Sequence, residues 1–151
     1  MTLFKYNDGG RSLAGYKKPN VGDCVVRAIA IATELPYQTV YDAINLEGSK
    51  ERLTKRRVKK GKSSAEGGVY NRTYRNYMAK LGWEFIPTMT IGSGCKVHLK
   101  SSELPSGRIV VRLSRHLCAV VDGVINDLSD CSRNETRCVY GYFAKKEVGA
   151  K

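Results

Sequence analysis

No stretch of this 151-residue chain approaches the length of apolar sequence that a membrane-spanning helix needs. Its start, Met1 to Gly10, has no apolar run of the signal-peptide kind. Both absences predict a soluble protein without a membrane partner, working in the cytoplasm of a bacterium or of an infected bacterial host. The five cysteines are an odd set with no framework spacing, which argues against a disulfide scaffold and predicts reduced thiols. Internal repeats and low-complexity segments are also missing. With only two histidines, imidazole chemistry has two candidates, His98 and His116. The ordinary apolar and charged fractions predict one domain over residues 1–151, large enough to bury a core without staples.

Acid is scarce beside base, 14 residues against 26, for a net charge of +12. The window from Lys50 to Lys62 holds eight bases and one acid, Glu51, so it carries +7 of that total. Glycines and serines flank it, which predicts an exposed, mobile insertion over about 48–68. Lys55, Arg56, Arg57, Lys59 and Lys60 are then candidate contacts for a substrate, a nucleic acid or another polyanion. The alternative is a solvated basic loop with no partner. No aromatic interleaves the run, which argues against a platform that stacks single-stranded bases.

Residues 1–22 read as irregular, with Asp8-Gly9-Gly10-Arg11 a plain turn. Asp23 is a suitable N-cap for a helix from Cys24 to about Glu34. Apolar residues nearly encircle that helix, which predicts a buried, central position. A second helix opens at Pro36 and closes at Gly48, and a third is capped by Asn71 and stops at Gly82. From Trp83 the signals change to strands, at 83–86, 96–99, 108–113, both sides of Asp122-Gly123, and 137–143. Helices followed by a run of strands predict an α+β fold. Tyr37, Tyr74, Tyr77 and Tyr140 are read as core and rim.

Three residues stand where thiol catalysis needs them. Cys24 falls in the first turn of a helix, where unpaired N–H groups and partial positive charge favour thiolate over the ordinary thiol. Its own N–H would be placed to serve an oxyanion hole. If Asp122-Gly123 form a two-residue turn, Val121 faces Val124, Cys118 faces Asp127 and His116 faces Ser129. His116 and Asp127 are then diagonal neighbours on one face, suited to a carboxylate that orients an imidazole toward a thiol. The other face, with Leu117, Ala119 and Val121, suits the core. His98 has no evident carboxylate partner, which favours His116 as the base.

The segment Gly22-Asp23-Cys24-Val25-Val26-Arg27-Ala28 and the hairpin His116 to Asp127 resemble the papain-like cysteine peptidases. The Asp-Cys pair and the short His-to-Asp hairpin are more similar to compact bacteriocin-processing and cell-wall-cleaving members, and to small papain-like phage and prophage proteins. The resemblance implies a buried N-terminal helix carrying cysteine against a C-terminal antiparallel sheet. It further implies a peptidase, isopeptidase or amidase with Cys24 as nucleophile, His116 as base and Asp127 as orienter. Such an enzyme takes a protein or peptide substrate and needs no cofactor or metal. Lys18 stands where the family usually has its oxyanion-hole glutamine, with Asn20 the nearest amide, and Val25 replaces the usual glycine after the cysteine. Those departures favour the alternative, a catalytically inactive module of the same fold that binds a host protein or nucleic acid. A third reading is a zinc site from Cys95, His98, Cys131 and Cys138.

Overall fold

The computed structural model describes residues 2–18, 21–52, 61–90 and 92–146. Three helices, α1 (Cys24–Thr33), α2 (Tyr37–Ser49) and α3 (Asn71–Lys80), come before most of the sheet. The strands are β1 (Phe4–Tyr6), β2 (Trp83–Pro87), β3 (Arg108–Leu113), β4 (His116–Val121), β5 (Val124–Asp127) and β6 (Gly141–Lys145). They form one sheet in the order β1-β5-β4-β3-β6-β2. Every pairing is antiparallel except β1 with β5. The fold is α+β. Among the described residues, no helix is long and apolar enough to cross a membrane.

Helix α1 is the centre of one core. Val25 to Ala32 are all buried, and the helix lies across β4 and β3. Val110, Leu117, Ala119 and Phe143 meet it from the sheet. Truncating Ile29, which is fully buried, to Ala would cost about 2–5 kcal/mol. Glu34, in the left-handed region, ends the helix. Asp23 precedes it, yet its side chain caps no helical N–H, contrary to the sequence reading. Likewise Tyr70, not Asn71, is the residue before α3.

The hairpin forms in the expected register, with Val121 opposite Val124 and Ala119 opposite Asn126. Asp122 and Gly123 both have positive φ, the conformation that a two-residue turn between twisted strands requires. Both faces of the hairpin are covered, however. Cys118, Val120 and Ile125 join Leu99, Val111 and Val139 in a second cluster on the far face. The expectation of a single core face is therefore corrected.

Other expectations shift as well. Phe4–Tyr6 is a strand rather than irregular, added in parallel to β5. The 96–99 strand reduces to one bridge, His98 with Cys138, and the last strand begins at Gly141. Cys95 and Cys138 form a disulfide, leaving Cys24, Cys118 and Cys131 free, so the thiols are not all reduced.

The flanks of the basic insertion are also structural rather than mobile. Residues 48 and 49 end α2, and Ser63 and Ala65 are buried. Ser63 N–H donates to Glu51 and Ala65 N–H to Asn45. Gly22 bridges Gly67 just before α1. Lys55, Arg56, Arg57, Lys59 and Lys60 lie outside the described residues, as does Asn20.

Candidate active site

The start of α1 and the start of β4 bring Cys24 and His116 together. The Cys24 thiol hydrogen-bonds the His116 side chain. His116 Nε2 lies 2.6 Å from Asp127 Oδ2, as the hairpin register allows. Asp127 is fixed in turn, its Oδ1 accepting the Leu128 N–H at 2.7 Å.

Electrostatics follow from that chain. Burial alone would raise the Cys24 thiol, but the hydrogen bond to His116 and the imidazolium charge outweigh it and hold the thiol below its ordinary value. Burial would lower His116. Hydrogen bonds to Asp127, Cys131 and Cys24 overcome this and push the imidazole up to about 11. Burial also disfavours the Asp127 carboxylate, and the hydrogen bond from His116 more than offsets it, so its pKa is lowered. All three shifts act in the same direction, toward thiolate at Cys24, imidazolium at His116 and carboxylate at Asp127.

A layer of charge supports the aspartate, and here the sequence reading missed the main residue. Arg27 stands one helical turn after Cys24, with Nη2 3.7 Å from Asp127 Oδ1 and Nη1 3.4 Å from Asp23 Oδ1. Asp23 is fully buried, accepts the Tyr37 hydroxyl at 2.7 Å, and lies 3.6 Å from Arg11 Nε. Asp23 is thus a buried counter-ion rather than a cap, and Arg11 reaches it from the Asp8–Arg11 turn, which forms as expected with Arg11 N–H donating to the Asp8 carbonyl. The only hint in the sequence was an arginine inside an otherwise apolar helix.

Above the thiol is a cleft of about 370 Å³, lined by Cys24, Val25, Tyr74, Arg112, His116 and Tyr140 among others. Asn71 also lines it, and its Oδ1 accepts the Tyr74 hydroxyl at 2.7 Å. Burial is the main cause that pushes the Tyr74 phenol up to about 12, so it stays a neutral donor. Tyr74 and Tyr140 are therefore cleft residues as well as packing residues. Lys18 is exposed, and its carbonyl accepts from Arg11.

On the other side of His116, Cys131 is a further neighbour that the sequence did not indicate. His116, Asp127 and Cys131 offer donor atoms within 4.8 Å of one another, a set that could hold a metal. The four residues of the zinc reading are not gathered. Cys95 is bonded to Cys138, His98 Nδ1 lies 3.2 Å from Glu103, and Cys131 hydrogen-bonds His116 and Cys118. Glu103 also corrects the expectation that His98 lacks a carboxylate partner. Comparison with protein-family models, curated proteins and solved structures finds no match to this chain.

Proposed function

We propose that the protein is a cysteine-nucleophile hydrolase of amide or related acyl bonds, built on a papain-like arrangement. The observation that carries this is the hydrogen-bonded chain Cys24–His116–Asp127 at the floor of an open cleft. The Cys24 thiolate attacks the substrate carbonyl carbon, and the His116 imidazolium gives its proton to the departing amine as the C–N bond breaks. Water then loses a proton to neutral His116 and attacks the acyl-thioester. The C–S bond breaks, releasing acid and thiolate. Asp127 holds the ring and its charge throughout. For the oxyanion, Cys24 N–H is free of intrahelical bonding at the helix start, and the Asn71 amide lines the same cleft.

A protein or peptide substrate in a phage-infected bacterial cytoplasm belongs to this proposal. The Cys95–Cys138 bond bears on the compartment, because such bonds are rare in a reducing cytoplasm. An epoxysuccinyl or vinyl-sulfone peptide, with tryptic mapping of the adduct, tests the chemistry. Modification confined to Cys24 and abolished in His116→Ala supports it, and no adduct under forcing conditions counts against it. The second reading, a non-catalytic module that binds a host protein or nucleic acid, is favoured by Val25, which is packed where a glycine would leave room.

A further inference from the structure

Thiol hydrolysis alone leaves the substrate open, and the charges around the cleft narrow it. Among the described residues, the cavity that holds Cys24 and His116 is lined by two arginines, Arg112 and Arg115, and by no acid. Among the described residues, neither lies within 4.0 Å of a carboxylate; the ion-paired arginines are Arg11, Arg27 and Arg108. Arg112 is half-buried, and the Tyr140 ring lies 5.8 Å from its guanidinium carbon. Its N–H donors make no hydrogen bond among the described residues, whereas Arg108 and Arg137 each find backbone carbonyls. A half-buried guanidinium without an acceptor, beside a nucleophile, is a fork waiting for a carboxylate.

The surroundings repeat the sign. A cavity of about 1020 Å³ shares Val69, Asn71 and Arg115 with the cleft and, among the described residues, adds Arg72, Arg75 and Lys146 against a single acid, Glu84. Beyond His116, a third cavity of about 650 Å³ carries Arg115, Arg133 and Arg137, and its one acid, Asp127, is already paired. The whole chain has about two bases per acid, so this enrichment exceeds what composition alone supplies.

We propose that Arg112 selects substrates bearing a carboxylate close to the scissile carbonyl, on an acidic side chain or at a chain terminus, with Arg115 and Arg75 favouring further negative charge. This rests on the thiol-hydrolase reading. Arg112 acts here as a specificity residue on β3, four residues before the base.

The test compares iodoacetate with iodoacetamide at Cys24, read by peptide mapping, in wild type, Arg112→Gln and Arg112→Lys. The two reagents differ in charge and little in size. The iodoacetate-to-iodoacetamide rate ratio is expected to fall about tenfold in Arg112→Gln, with the iodoacetamide rate itself within about twofold of wild type. Arg112→Lys should keep part of the preference, and added salt should weaken it. A ratio indifferent to Arg112, with fast iodoacetamide labelling, would overturn this inference and leave the hydrolase reading standing. Slow labelling by both reagents would overturn the two together. Protection of Cys24 by a capped Glu peptide, against an uncapped Ala peptide, then separates side-chain from terminal carboxylates. Either result supports the proposal, and protection by neither counts against it.

Discussion

Arg27 Nη2 lies 3.7 Å from Asp127 Oδ1, so the helix that supplies the thiol also supplies the cation behind the aspartate that steadies the histidine. Cys24 and Arg27 are three residues apart on α1, which ties nucleophile and support to one rigid element. Helix and hairpin cannot separate without breaking a buried ion pair. Arg27→Gln should therefore destabilise the protein by about 3–5 kcal/mol in urea denaturation, because Asp23 and Asp127 lose their shared cation. The double variant Arg27→Met/Asp23→Leu should recover part of that loss.

Asp127→Asn removes the charge that holds His116 high. The imidazole should titrate well below about 11, followed by NMR. Hydrolysis should fall about a hundredfold. The signs of the linked stabilities are opposite. His116, raised above its ordinary 6.5, contributes stability fully below that value and loses it as pH climbs through about 11. Asp127, lowered from 3.8, contributes above 3.8 and loses it as pH falls through its depressed folded value. In Asp127→Asn both dependences should flatten in a pH series of thermal melts.

Gly48 sits in the last turn of α2 against the backbone of Ser63. A Cβ built there would lie 2.2 Å from the Ser63 carbonyl oxygen, and backbone cannot step aside as a side-chain tip can. Gly48→Ala should cost about 1–3 kcal/mol or more, despite its better helix propensity. A neutral or stabilising result in chemical denaturation would show that residues 61–68 do not pack on α2 as described.

The Cys95–Cys138 bridge makes a count. Alkylation of denatured, unreduced protein should modify three thiols, and five after reduction. Removing the bridge with Cys95→Ser/Cys138→Ser should cost about 2–4 kcal/mol, since it closes a loop of 43 residues. Five thiols without reductant would contradict the bridge.

The parts of the fold carried by local rules were legible in the sequence. The helix at Cys24 follows from apolar density, and the His116–Asp127 geometry follows from a two-residue turn that fixes register. What was not legible depended on long-range partners. Phe4–Tyr6 is a strand only because β5 offers an edge, with its side chains exposed and no alternation to mark it. Asp23 looks like a cap until Arg11, Arg27 and Tyr37 converge on it from three segments. Arg112 looks like one more basic residue in a basic chain until its described neighbours are seen to include no acid within 4.0 Å.

Everything proposed for the cleft depends on Cys24 and His116 forming an activated pair. The pH dependence of iodoacetamide alkylation at Cys24, mapped by mass spectrometry in wild type and His116→Ala, tests it most directly. Mapping matters, because the Cys131 thiol is also lowered, through its hydrogen bond with Cys118. Fast labelling of Cys24, with a midpoint below that of an ordinary thiol and lost in His116→Ala, is the expected result. Labelling that follows an ordinary thiol, and is indifferent to the histidine, would contradict it.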